Sequence, residues 1–388
     1  MRTTVVPPLT AETAREILRK VTAPAGADAA KAARTDLLLV GFDFGTNTSC
    51  LKACYAGAGD LVVNEMIPTV VGYASEGLVD NLLPGNARIL FGQAALKNRL
   101  YLRLVPPLQN GQVEDLQAAR DFTRYLRQVL NPQQGAEVRA VIGVPANAER
   151  TARETLSQAV TGLFDKVVFI PEPFLAALGY RDESRLGDPA YLDPVRNSLI
   201  VDIGAGTTSA CLVQGYFPTT EDQVSLPFAG DKVDGLLAEA IRKSYPDSEL
   251  SLFQVREIKE HHSYVGKMEG AIVVNLVIGG KLRKLDLGEA IGNACELLLQ
   301  RVFEAVKLMI AQASTDSVAE LVQNIILTGG GSRIRQFDAE LQRLLVEDGY
   351  EKPRVLTVGE NHKEYVARGA LVAARQAKEA QWTRLASG

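Results

Sequence analysis

Two stretches of this chain carry the same set of reactive groups at the same spacing. Residues 37–50 read LLLVGFDFGTNTSC, and residues 198–211 read SLIVDIGAGTTSAC. In each, an apolar run ends at an aspartate (Asp43, Asp202). A glycine stands two positions on (Gly45, Gly204), followed by small or hydroxylated residues: Thr46 and Asn47 in the first stretch, Ala205, Gly206, Thr207 and Thr208 in the second. Glycine lets a turn bring its backbone close to an anion and aim N–H groups at it. The hydroxyls of Thr46, Thr207 and Thr208 add donors for phosphate oxygens. Carboxylates beside a phosphate suit Mg2+, which keeps several waters and takes few protein ligands, so Asp43 and Asp202 are expected to hold the metal through its water shell. A third stretch has the same character. Asn324–Thr328 is apolar apart from its ends and runs into Gly329, Gly330, Gly331 and Ser332, with Arg333 opening an amphipathic segment that reaches Leu345. A strand feeding a glycine turn and a helix N-terminus is a place to hold a nucleotide. Hydrolysis needs a group to orient water. Two carboxylates qualify: Glu172, between Pro171 and Pro173 just after an apolar strand, and Glu154, on the helix following Pro145. Glu172 is favoured, against the alternative that it only complements a helix dipole.

The elements that must position these groups follow from pattern. Each Asp-x-Gly stretch has apolar segments on both sides of a glycine turn, the signature of a β-hairpin. Two such hairpins in one chain imply a duplicated fold with a phosphate tail held between the halves. A helix is expected over Val113–Leu130, a buried strand over Glu137–Val144, a helix over Ala148–Gly162, a strand over Lys166–Ile170 and a further helix to Tyr180. Arg181–Arg196 reads as a polar loop. Strands alternating with helices indicate α/β layers. Two familiar nucleotide motifs are absent. There is no Gly-x-x-x-x-Gly-Lys-Ser/Thr loop, and the Gly204–Ser209 run lacks the third glycine of the dinucleotide fingerprint.

The order of phosphate turn, phosphate turn and glycine turn resembles the superfamily of actins, chaperone ATPases and sugar kinases. Val141–Pro145, Pro171–Phe174, Ile200–Thr208 and Gly329–Arg335 are similar to bacterial actins. Pro107–Gly111, Glu221–Val224 and Ala229–Asp234 are similar to the MamK branch, which organises magnetosome chains. The resemblance covers roughly 37–369. It implies an actin-like fold: two duplicated α/β domains, each with a subdomain insertion, flanking a nucleotide cleft. It also implies ATP or ADP with Mg2+, a catalytic role for Glu172, Asp202 and Asp43, and an adenosine pocket lined by Lys259 and Glu260, from the similarity of Val255–Glu260 to the actin segment carrying that pair. The chain departs from the pattern in two places. Ser209 stands where many relatives carry aspartate, and Lys52 lies further along than the phosphate-binding lysine of actin.

Organisation on this basis is an extension over 1–35, domain I over 36–196 with an insertion at about 61–110, domain II over 197–361 with an insertion at about 222–285, and a C-terminal helix over 362–388 returning to domain I. Within the extension, Ala14, Ile17, Leu18 and Val21 share one face of a short helix capped by Thr10. The 388 residues suffice for two ordinary domains. A net charge of −4 with no basic stripe argues against a nucleic-acid partner. The four cysteines read as buried apolar groups, and His261–His262 as surface or packing residues rather than metal ligands. No apolar run reaches membrane-spanning length, so a cytoplasmic protein is expected. The function class expected is a filament-forming ATPase whose subunits stack head to tail, with itself as main partner and organelle or adaptor proteins as others. The alternatives are a sugar or acetate kinase, and a plasmid-segregation or cell-shape actin. A chaperone ATPase would require a further peptide-binding domain.

Overall fold

The computed structural model describes residues 34–268 and 270–385. The helix expected around Ala14–Val21 lies outside them. The chain divides into two compact units. Of the described residues, one takes in those up to Arg196, Val213–Thr220 and those from Lys363 on; the other takes in Asn197–Leu212 and those from Glu221 to His362.

The first unit is built on a six-stranded sheet. Its strand order is Thr383–Arg384, Lys166–Pro171, Glu137–Val144, Arg34–Phe44, Thr48–Ala56 and Val63–Pro68. Arg34–Phe44 runs parallel to Glu137–Val144 and antiparallel to Thr48–Ala56. Its nearly unbroken apolar sequence reflects cover on both faces. Leu38, Val40, Phe42 and Phe44 pack into a core with Phe122, Leu126, Val138 and Ile142. Phe42 stacks on Phe44, and Phe44 on Phe122. Two helices, Glu172–Tyr180 and Tyr365–Gln376, cross at glycines. A Cβ on Gly369 would lie 1.8 Å from the Leu175 carbonyl oxygen, and one on Gly179 would lie 2.0 Å from that of Tyr365. Backbone-to-backbone contact of this kind leaves the Glu172 helix little freedom to slide.

Three local expectations need correction in this unit. The helix expected from Val113 runs Leu116–Leu130, capped by Asp115, whose side chain accepts from the Ala118 N–H. Gln112–Val113 instead pairs with Leu108–Gln109. Asn110 and Gly111 both have positive φ between them, the two-residue turn that Asn-Gly favours. The helix expected over Ala148–Gly162 is Arg150–Val160, because Asn147 takes a left-handed turn after Pro145 and Gly162 has φ of 84°. The segment 181–196 is more than a polar loop. Arg181 is buried and forms an ion pair with Asp193 at 2.7 Å, and Asp193 also accepts from the Val195 N–H.

The second unit has a five-stranded sheet ordered Gln223–Leu226, Thr208–Val213, Ser198–Ile203, Ile325–Thr328 and Val355–Thr357. Ser198–Ile203, Ile325–Thr328 and Val355–Thr357 are parallel. The long helix Gly288–Gln312 contributes Ile291, Cys295, Leu298, Val302 and Val306 to a core shared with Leu199, Val201 and Leu327 of the sheet. Leu252–His262 starts at a capping box made by Ser251 and Gln254. A separate hairpin, Val273–Ile278 with Lys281–Asp286, completes the unit. The glycine turn does not feed directly into an α-helix as expected. Gly330–Arg333 forms a 3-10 turn, and the α-helix begins four residues later at Phe337, after Gln336 in a left-handed conformation.

Candidate functional site

The first Asp-x-Gly turn closes the hairpin of Arg34–Phe44 and Thr48–Ala56, with Asp43 in register with Cys50. Partners distant in sequence brace it. The Thr69 hydroxyl donates to the Gly45 carbonyl at 2.7 Å and shares a hydrogen bond with the Ser49 hydroxyl, while the Thr69 N–H donates to the Asn47 carbonyl. The Gly111 N–H donates to the Thr46 hydroxyl at 3.2 Å. Neither Thr69 nor Gly111 was selected from sequence. The Asn-Gly hairpin signal could have placed Gly111, whereas Thr69 carries no local signal. Burial and the neighbouring Asp43 carboxylate push the Cys50 thiol up to about 12, which keeps it protonated and unreactive. Lys52 is buried in the adjoining strand. Its Nζ donates to Asn64 at 2.5 Å and to Glu364 at 2.6 Å.

Glu172 is the first residue of its helix, directly after the strand Lys166–Pro171. It lines a small cavity of about 20 Å3 together with Phe44, Gly111, Gly143, Pro145 and Arg153. That is room for one water molecule. Glu154, the competing carboxylate, lies on the helix Arg150–Val160 and accepts from Arg150 at 2.7 Å. It is not among the residues that line the cavity. Of the two, Glu172 is the one that borders this water-sized space.

The second Asp-x-Gly turn belongs to the other unit and is braced by a helix. The Gly204 N–H donates to the Thr207 carbonyl at 2.9 Å, closing the turn. The first two N–H groups of the helix Gly230–Ser244 donate to the Gly204 and Ala205 carbonyls at 3.1 and 2.8 Å. The Thr208 hydroxyl donates to the Phe228 carbonyl. Ser209, at the position where aspartate was expected by analogy, is buried and donates to the Ser225 hydroxyl across the sheet. Asp202 is partly buried, and burial pushes its carboxyl up to about 6.

The third piece packs directly on the second. A Cβ on Gly329 would lie 2.3 Å from Asp202 Oδ1 and 2.5 Å from the Ile203 carbonyl oxygen, and one on Gly331 would lie 2.2 Å from Ile203 Cγ2. Ser332 turns its hydroxyl back onto the Gly329 carbonyl, and Arg333 is exposed. Lys259 donates to the Gly230 carbonyl at 3.0 Å and pairs with buried Asp234 at 2.7 Å, while Arg256 pairs with Asp231 and Asp234. Lys259 thus anchors the helix that braces the second turn. Glu260, next to it, is exposed. His261 contacts the Glu257 carbonyl of its own helix. Among the described residues, no group of three or more His, Cys, Asp or Glu side chains could hold a metal ion directly. Asp202, a carboxylate whose proton affinity burial raises, is chemically suited to a hard cation that keeps its waters.

The model of the MreB/Mbl protein family matches residues 38–381. This chain belongs to the MreB/Mbl family. The actin-like protein MamK of Magnetospirillum gryphiswaldense is 31% identical to it over 303 residues, covering 77% of this chain and 79% of MamK. A MamK-like protein of Paramagnetospirillum magneticum is 27% identical over 359 residues, covering 90% of this chain and 98% of its own. Among solved structures, the MamK double helical filament superposes with a TM-score of 0.77 at 29% identity, covering 86% of this chain and 97% of that one. A non-polymerising MamK mutant bound to AMPPNP gives 0.61 at 28% identity, covering 87% and 99%. The fold of this MreB/Mbl member is therefore actin-like, with the α/β architecture that the two phosphate turns implied. No helix among its described residues is long and apolar enough to cross a membrane.

Proposed function

We propose that this chain is an ATP-binding and ATP-hydrolysing bacterial actin that assembles with copies of itself into filaments, as MamK does. The likeness to the MamK filament over nearly the whole of that chain carries the proposal, and the AMPPNP-bound relative supports a nucleoside triphosphate as ligand. Gly45, Thr46 and Asn47 in one turn, Gly204 to Thr208 in the other, and Gly329 to Arg333 supply backbone and hydroxyl donors for the nucleotide, with Lys259 and Glu260 toward the adenosine end. Asp43 and Asp202 would hold Mg2+ through its water shell, where the ion neutralises charge on the phosphates. Glu172 accepts a proton from the attacking water as the bond from water oxygen to the γ-phosphorus forms and the bond to the β–γ bridging oxygen breaks. Its support is its position on the wall of a water-sized cavity. By the same likeness, the proposed setting is a cytoplasmic filament, and alongside magnetosomes in a host that makes them.

Sedimentation decides the central claim. With Mg-ATP the protein is expected to pellet at high speed as filaments visible in electron micrographs, and without nucleotide to remain in the supernatant. A protein that stays monomeric at high concentration with Mg-ATP refutes the filament reading. Glu172→Gln is expected to slow phosphate production by about 100-fold or more while retaining nucleotide, whereas Glu154→Ala stays within about twofold of wild type. The reverse pattern would move the water-orienting role to Glu154.

A further inference from the structure

Arg153 stands apart from the other inward-facing arginines of the described residues. Arg139 pairs with Glu137 and Glu379, Arg181 with Asp193, and Arg256 with Asp231 and Asp234. The Arg153 guanidinium has no ion pair or hydrogen bond to any described residue, and its Nε is sealed from solvent without an acceptor. Holding a cation in such a place is costly unless an anion or a polar partner compensates. Burial accordingly holds this guanidinium below its ordinary pKa. The backbone that carries this side chain is held in place. Arg153 sits in the first turns of the helix Arg150–Val160, its carbonyl accepting from the Ser157 hydroxyl at 2.8 Å.

The place it occupies is the wall of the cavity that also contains Glu172. The other lining residues are glycines, apolar side chains and Gln112, so Arg153 and Glu172 are the two charged groups that share it. The cavity admits one water molecule, which needs two to four polar partners to be held. A guanidinium short of acceptors and a carboxylate on the same wall supply them.

We propose that Arg153 is a positioning residue for the hydrolytic step. Through the water in the cavity, its guanidinium fixes the direction in which the Glu172 carboxylate faces. Arg153 acts through Glu172 and not on the nucleotide. The proposal rests on the assignment of Glu172 as the water-orienting base.

The test is steady-state phosphate release by Arg153→Gln, Arg153→Lys, Glu172→Gln and the Arg153→Gln/Glu172→Gln double variant, with AMPPNP affinity measured for each. Arg153→Gln is expected to lower kcat about tenfold with KM changed less than about twofold, and Arg153→Lys, which keeps the charge and most of the bulk, to recover at least half of the loss. Because residues acting as a unit are non-additive, the double variant should fall no more than about twofold below Glu172→Gln alone. Wild-type kcat in Arg153→Gln, beside an impaired Glu172→Gln, overturns the proposal and leaves the role of Glu172 standing. So does a loss that multiplies in the double variant, or a fall in AMPPNP affinity as large as the fall in kcat. Wild-type kcat in Glu172→Gln removes the assignment of Glu172 and this proposal with it.

Discussion

Three consecutive glycines make a graded experiment possible. Gly329 has φ of 77° and ψ of 172°, a region that side chains other than glycine almost never enter. An alanine there would cost about 1–3 kcal/mol for the backbone alone. Its Cβ would also sit 2.3 Å from Asp202 Oδ1 and 2.5 Å from the Ile203 carbonyl oxygen. The carboxylate can rotate away, but the carbonyl belongs to the central strand and can move only with it, so overpacking adds roughly another 1–3 kcal/mol. Gly331→Ala lacks the backbone penalty and meets Ile203 Cγ2 at 2.2 Å, so it should lose about 1–3 kcal/mol. Gly330 has no atom within 4 Å of its missing Cβ and is exposed; Gly330→Ala should stay within about 0.5 kcal/mol of wild type. Thermal unfolding followed by circular dichroism, without nucleotide, reads the series directly. At roughly 2–4 °C per kcal/mol for a unit of this size, Gly329→Ala should melt about 4–24 °C lower and Gly330→Ala should superpose on wild type. Calorimetric ATP titration then separates stability from binding: any affinity lost in Gly330→Ala reports contact with the ligand itself, and Gly329→Ala should lose affinity because Asp202 is displaced. A Gly329→Ala protein that melts like wild type, or a Gly330→Ala protein that melts as low as Gly329→Ala, would refute the packing of the glycine turn on Asp202 and Ile203.

Asp202 predicts a pH dependence. Its carboxyl is raised from 3.8 to about 6 by burial, so the folded protein binds a proton that the unfolded chain has already lost. The resulting destabilisation is fully present above about pH 6 and fades as pH falls toward 4. In nucleotide-free protein with EDTA, Asp202→Asn should therefore melt higher than wild type at pH 7.5, by on the order of 1–2 kcal/mol after allowance for partial exposure, with the gap closing near pH 4.5. A gap that widens toward acid would contradict the shift, and Asp202→Asn should also lose Mg-ATP affinity. Asp193→Ala leaves Arg181, which is 5% exposed, without its carboxylate; urea unfolding should show a loss of about 3–5 kcal/mol, and a change below 1 kcal/mol would mean that water replaces the pair.

The sequence by itself determined what depends on neighbours a few residues apart. The Asp-x-Gly turns are legible because a strand end, a glycine and small hydroxylated residues set their own dihedrals and donors, and the structure places Asp43 and Asp202 one residue before the ends of their strands. The strand–Pro–Glu step around Glu172 is visible for the same reason, as is the alternation of strands and helices that gives the α/β layers. The start of the helix at Leu116 is also legible, in the Asn110-Gly111 turn and the Asp115 cap. Only the tertiary structure decided the partners. Thr69 reaches Gly45 across 24 residues, and Gly111 reaches Thr46 across 65. The N–H groups of Gly230 and Asp231 close onto Gly204 and Ala205, and Lys259 spends its charge on Asp234 and the Gly230 carbonyl. Nothing in the local sequence distinguishes Arg153, left without a counter-charge, from Arg181, which has one. Local sequence fixes backbone conformation because the interactions that set φ and ψ act within a turn or two of chain. Which carboxylate meets which cation, and which hydroxyl braces which loop, is set by strand order and helix packing, where residues far apart in sequence first come within hydrogen-bonding distance.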